Sequence, residues 1–203
     1  RLYFFKLIYY YAHMFSCKNQ YYLFIENTSD LDPLKIKIRG KFNIIYRNYN
    51  KPENLRNLKN FRRKCKSKNI SFFVSNNLSL LIKLKADGLY IPSFNKNLSL
   101  IKFKNKIKLI GSAHNVREIY EKNKQGCVVN IVSRLFKTQY QNKLSFFGVV
   151  KFNLLSSKYK RELVPLGGIR ISNLNKLKTI NSKEVSLMSE IKKKPANIIN
   201  RLF

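Results

Sequence analysis

Residues 71–95, SFFVSNNLSLLIKLKADGLYIPSFN, constrain the fold of this chain more tightly than any other stretch. Phe72, Phe73 and Val74 form a short run of strand-favouring residues that ends in the polar tip Ser75-Asn76-Asn77. Leu78, Leu81, Ile82 and Lys85 then recur at i, i+3, i+4 and i+7, which is a helical spacing. Ala86-Asp87-Gly88 turns the chain into a second apolar run, Leu89-Tyr90-Ile91, closed by Pro92. Strand, helix and strand in this order make a βαβ unit, whose two strands must lie parallel in one sheet.

The same alternation runs through the rest of the chain. Strands are predicted over 21–25, 42–47, 72–74, 89–91, 107–110, 128–132, 163–166 and 184–187. Between them lie a short segment at 34–39, a basic helix over 52–66 with Leu55, Leu58 and Phe61 on one face, and helices over 116–124, 146–159, 173–180 and 189–202. Eight such units in 203 residues fit an α/β fold of one domain, a (β/α)8 TIM barrel, with an open doubly wound sheet as the alternative. Residues 21–203 would form the barrel and 1–20 an N-terminal extension, with Met14 as a candidate start. A signal or anchor segment is the other reading of that extension, although no small-residue cleavage site follows it.

The net charge is +31 at pH 7, a value that favours nucleic acid or anionic surfaces in general. Its basic residues are spread over almost every segment, Lys outnumbers Arg, and Asn, Ile, Phe and Tyr are abundant beside them. That pattern is what AT-rich codon usage produces, so the expectation is no specific nucleic-acid partner. Arg62-Arg63-Lys64 and Lys192-Lys193-Lys194 read as solvated helix faces. No apolar run reaches the roughly 18 residues that span a bilayer, so no membrane partner is expected. Cys17, Cys65 and Cys127 have neither disulfide nor zinc spacing, which suits a reducing, cytoplasmic setting. Oligomeric state leaves no mark in the sequence.

In a barrel, functional side chains gather where the strands end. Those positions carry Asn27, Arg47, Ser75-Asn76, Ser112, His114, residues 133–138, Gly167-Gly168 and Ser189. Two adjacent glycines allow close backbone approach to a ligand, and their N–H groups can face a phosphate. Ser189, opening the last helix, would supply the other half of a phosphate site. His114, one of two histidines, lies beside Ser112 at the expected mouth and is the candidate general acid or base.

The ordered series of motifs resembles the thiamine-phosphate synthase and TenI family. The strand ending in Ser75-Asn76, the run Ala86-Asp87-Gly88-Leu89-Tyr90-Ile91-Pro92-Ser93, Ser112-Ala113-His114, Phe136-Lys137-Thr138, Gly167-Gly168-Ile169 and Leu187-Met188-Ser189-Glu190-Ile191 are similar to family motifs in the same order. Ile45-Tyr46-Arg47 is similar to the family's Gln-x-Arg strand end. The resemblance implies a (β/α)8 barrel that joins hydroxymethylpyrimidine diphosphate to thiazole phosphate with Mg²⁺. Arg47, Ser75, Thr138, Gly167, Gly168 and Ser189 would hold the phosphorylated ligands. For the TenI branch it implies a thiazole tautomerase, using the histidine that His114 resembles and no metal, or a non-catalytic binder of thiazole or thiamine phosphate.

Several positions depart from the family. Asn76 and Asn95 stand where the family has metal-binding acids, and Mg²⁺ is usually anchored by carboxylates. Tyr49 stands in place of a lysine, with Lys51 nearby. Gln141 replaces the lysine of the loop after strand six, with Lys143 as a substitute.

Overall fold

A computed structural model describes residues 18–49, 53–138, 145–193, 195, 198, 199 and 202. Of the expected extension, 1–17 lie outside the described residues. Eight parallel strands close into a barrel in chain order. They are β1 (Gln20–Ile25), β2 (Phe42–Tyr46), β3 (Ser71–Ser75), β4 (Gly88–Ile91), β5 (Lys108–Ala113), β6 (Val129–Ser133), β7 (Glu162–Leu166) and β8 (Glu184–Leu187). β1 pairs with both β2 and β8, which closes the ring. The open-sheet alternative is excluded.

Alternation along each strand divides the side chains. Tyr22, Phe24, Ile45, Phe73, Tyr90, Ile110, Ile131, Val164 and Leu166 fill the barrel interior. Tyr21, Leu23, Ile44, Phe72, Val132, Leu163 and Val185 pack outward against the helices. The floor is polar: Asn43 donates to Gln20 Oε1 at 2.5 Å, and Lys18 Nζ donates to the carbonyls of Ile180 and Ser182. Burial raises the Glu184 carboxyl above its ordinary range, against hydrogen bonding with Tyr22 and the charge of Lys108, which pull it down.

The turn of the opening βαβ unit owes its residue types to packing. Asp87 accepts the Phe72 N–H at 2.7 Å and pairs with Arg62 at 2.8 Å. A Cβ on Gly88 would lie 2.1 Å from the Lys108 carbonyl oxygen, so only glycine fits between β3 and β5. Arg62 is therefore tied to the barrel rather than solvated, with 14% of its side chain exposed.

The crossovers are less regular than the sequence suggests. α1 (Leu55–Ser67), α2 (Leu78–Leu84), α3 (Val116–Lys124), α4 (Gly148–Ser157) and α5 (Ser189–Lys193) are α-helical. α2 is short and buries Leu81 and Leu84, while Ile82 is 70% exposed. Between β1 and β2 the chain makes 3₁₀ turns at Thr28–Asp30 and Pro33–Lys35, and between β4 and β5 one at Leu98–Phe103. The predicted 173–180 helix is a kinked 3₁₀ segment, Ile171–Thr179. Asn173 causes the irregularity: its side chain donates to Gly168 O and accepts from Arg170 N, in competition with helical bonding. The predicted last helix runs as α5, and part of 194–203 lies outside the described residues.

Candidate functional site

The polar strand ends converge at the carboxyl end of the barrel. Arg47 follows β2 on the interior side of Ile45. Its guanidinium lies 5.5 Å from the Phe24 ring centroid and 5.6 Å from that of Tyr49. Its Nη2 lies 3.5 Å from the Met188 sulfur, the guanidinium is within hydrogen-bonding reach of the Tyr90 phenol, and its buried Nε has no partner among the described residues. No carboxylate pairs with Arg47 there either. A guanidinium without a counter-ion at a barrel mouth is suited to an anion. Ser75, which ends β3, meets the Tyr49 hydroxyl at 3.5 Å. Tyr49 thus links Arg47 to Ser75.

Ser112 and Ser133 occupy interior positions of β5 and β6, because both strands run farther than the sequence suggests. Ser112 is buried beside Tyr90. Burial pushes the Tyr90 phenol above its ordinary range, against a hydrogen bond with Ser112 and the Arg47 charge. The partner of His114 is Ser133 rather than Ser112, with Ser133 Oγ 2.8 Å from His114 Nδ1. His114 is exposed, and Glu118 accepts its backbone N–H at 2.7 Å. Asn115 caps α3 by accepting from Glu118 N at 2.9 Å. The cap and Ser133 together fix where the imidazole stands.

Gly167 and Gly168 have φ of 97° and 70°, which an L side chain rarely adopts. A Cβ on Gly168 would lie 2.5 Å from Phe136 O and 2.7 Å from Lys137 O. The glycine pair therefore lets the loop after β7 lie flat against the loop after β6. Thr138, Gly168, Arg170, Ser189, Glu190, Lys192 and Lys193 line one cavity of ≈ 310 Å³ with Ile169 and Met188. The structure thus brings three of the expected phosphate ligands together and adds Arg170, Lys192 and Lys193. Arg134 donates to Thr138 Oγ1 at 2.9 Å and to Ser145 O at 2.8 Å. The substitute Lys143 lies outside the described residues.

Asn76 and Asn95 also meet. Asn95 Nδ2 donates to Asn76 Oδ1 at 2.6 Å. Asn76 has a left-handed φ of 53°, which asparagine tolerates, and donates its N–H to Tyr90 O. The Asn95 backbone carbonyl accepts from Lys122 Nζ at 2.5 Å and Gln125 Nε2 at 2.9 Å. Both of those side chains are fully buried. The residues present do not fit a magnesium ion. Its positions hold neutral amides bonded to one another, and no group of three His, Cys, Asp or Glu that could hold a metal occurs among the described residues.

Sequence reasoning misses Lys122 and Gln125 as loop anchors. The signal was present: Lys122 follows Ile119 at i+3 on α3, a position where an apolar residue is expected. Ser133 as the partner of His114 leaves no such mark, because Ser133 ends β6 while His114 follows β5, nineteen positions earlier in the chain.

Comparison with known proteins agrees with this architecture. A family model described as thiamine monophosphate synthase matches residues 26–191. A thiamine-phosphate synthase of Prochlorococcus marinus is 29% identical over 130 residues, which take in 63% of this chain and 37% of the relative. A second, from another strain of that species, is 28% identical over 127 residues, 62% of this chain and 36% of the relative. The chain thus spans little more than a third of the length of these curated relatives. Among solved structures, thiamine phosphate pyrophosphorylase from Pyrococcus furiosus superposes with a TM-score of 0.72 at 17% identity, covering 94% of this chain and 95% of that one. Phosphoribosyl anthranilate isomerase from Thermotoga maritima superposes at 0.65 with 13% identity, covering 90% and 96%. At these identities the superpositions speak to the barrel alone, whereas the family model covers most of the sequence. The chain belongs to the thiamine monophosphate synthase family.

Proposed function

We propose that this barrel works in thiamine biosynthesis as a divergent thiamine-phosphate synthase, coupling hydroxymethylpyrimidine diphosphate to thiazole phosphate. The observation that carries the reading is the cavity where Gly168, Ser189, Thr138, Arg170 and Lys193 converge. It offers backbone N–H groups, hydroxyls and three cations, Arg170, Lys192 and Lys193, to one phosphate, with Lys192 also paired to Glu26 and Glu190 the one acid on the wall. Arg47, without an acidic partner among the described residues, would receive the diphosphate of the second substrate. In the coupling, the bond from the pyrimidine methylene carbon to the diphosphate oxygen breaks and a bond to the thiazole nitrogen forms. Pyrophosphate leaves with the electron pair of the broken bond, and the Arg47 charge steadies it. Ser112 and Tyr90 form the polar edge of the interior against which the pyrimidine would lie.

The His114–Ser133 pair favours a second reading, a TenI-like thiazole tautomerase. With Nδ1 held by Ser133, Nε2 is left to move a proton on a thiazole anchored at the Gly168 cavity. This reaction uses no divalent ion. Purified protein incubated with both synthase substrates separates the two readings. Thiamine phosphate formation supports the first. Its absence at high protein concentration, with thiazole isomerisation that His114→Ala abolishes, establishes the second.

A further inference from the structure

We infer that the barrel mouth between β3 and β4 holds its anionic ligand without a divalent cation, because a built-in ammonium, Lys122, already organises the loop that carries Asn95. This rests on the proposal above that an anion enters beside Arg47.

The oxygens placed to ligate an ion here belong to Asn76, Asn95 and Asn97. Asn76 Oδ1 accepts from Asn95 Nδ2 at 2.6 Å. Asn95 Oδ1 accepts from Asn97 N at 2.8 Å. Asn95 O accepts from Lys122 and Gln125, and Gln125 Nε2 also reaches Asn97 O at 3.1 Å. Each oxygen is thus already engaged, and none carries a formal charge to offset the dehydration of a small divalent ion. Recruiting Asn95 O would strip an acceptor from an ammonium that is 0% exposed. That leaves Lys122 with Gln125 Oε1, at 2.9 Å, as its remaining hydrogen-bond partner. Leaving a buried charge short of partners is among the more costly changes a fold can suffer. A cation at the same carbonyl would also face the Lys122 charge at close range.

The placement of Lys122 explains how it reaches the loop. Its stem lies over Gly111 of β5, where a Cβ would meet Lys122 Cβ at 2.7 Å and Cγ at 2.8 Å. A glycine at that strand position lets the lysine stem pass between α3 and the sheet, so that its head meets the loop after β4. Lys122 is a positioning residue: it acts through Asn95 and, through Asn95, on Asn76. The charge that meets the ligand is Arg47's.

Calorimetric titration of the whole protein with inorganic pyrophosphate tests this, once in EDTA and once in millimolar Mg²⁺. The dissociation constants are expected to agree within about twofold. Arg47→Ala should weaken binding at least about tenfold in both buffers. Lys122→Met, checked for folding by circular dichroism, should weaken binding in both buffers without creating a metal requirement. The double variant Asn76→Asp, Asn95→Asp should acquire one. Binding about tenfold tighter with Mg²⁺ in the parent protein overturns the inference, as does an absence of binding or binding indifferent to Arg47→Ala. Thiazole phosphate, titrated separately, reports on the Gly168 cavity. A protein that binds pyrophosphate in EDTA but ignores thiazole phosphate keeps this inference and loses the substrate assignment.

Discussion

Gly168→Ala isolates the contact on which the phosphate cavity depends. Two costs follow from the structure. At φ 70° an alanine adopts a left-handed conformation, which costs about 1–2 kcal/mol. Its Cβ would also lie 2.5 Å and 2.7 Å from two carbonyl oxygens, and both belong to backbone that cannot rotate away. Forcing such overlap costs about 1–3 kcal/mol more. The total, about 2–5 kcal/mol, is large against a domain stability of about 5–15 kcal/mol. Gly167→Ala is the internal control. Its φ of 97° is also strained, but its Cβ would meet Arg134 Cγ at 3.2 Å, a flexible side chain that can shift. Urea denaturation of the three proteins gives the comparison, read as midpoint shifts at unchanged slope. Gly168→Ala should be the less stable of the two variants and should also lose thiazole phosphate affinity. If it unfolds at the same urea concentration as Gly167→Ala, the packing of the two loops is not what demands glycine, and the reasoning fails.

Three further outcomes are open to measurement. Asp87→Ala removes the acceptor for Phe72 N and the partner of Arg62. It should cost about 1.5–3 kcal/mol in denaturant melts, with Asp87→Asn recovering part of the loss. Glu184 has a raised carboxyl pKa in the folded state, so its favourable contribution is complete below the ordinary glutamate range and is lost as pH rises through the folded value. Glu184→Gln should therefore gain stability relative to the parent as pH climbs through that window; a pH-independent difference would refute the assignment. Burial pushes the Cys65 and Cys127 thiols up to about 12. In a Cys17→Ser background, an aromatic disulfide reagent at pH 8 should find no reactive thiol until the protein is unfolded, and two afterwards.

The barrel is legible in the sequence because each strand is a short apolar run between turn residues, and parallel pairing follows from the helical patterns between them. Strand ends are legible for the same reason, which is why Arg47, Ser75, Gly168 and Ser189 fall at the mouth. Local chemistry that competes with the helix is harder to read. Asn173 looks like an ordinary helix start, and only its bonds to Gly168 O and Arg170 N reveal the kink. The site divides similarly. The family series marks Asn76 and Asn95 as a pair, but not that they bond to each other. Ser112 precedes His114 by two residues, yet Ser112 sits inside β5 against Tyr90, whereas His114 follows the end of that strand and finds Ser133 at the end of β6. Sequence spacing reports neighbours along a strand, whereas the site is built from neighbours between strands.

The closure of the ring has a consequence for how the protein is made. β8 lies beside β1 from Glu184 to Leu187, paired with Gln20 through Leu23, whereas it registers with β7 at Leu166 and Ser186. The weld is reinforced at the floor by Lys18 and by Asn19 N, which donates to Lys183 O at 2.7 Å. During synthesis one edge of β1 must wait unpaired for a strand more than a hundred and sixty positions later in the chain, a template for misassembly in the interval. Met188 and Ser189 follow directly from β8. The cavity lined by Met188 and Ser189 thus takes shape only once β8 has closed the ring.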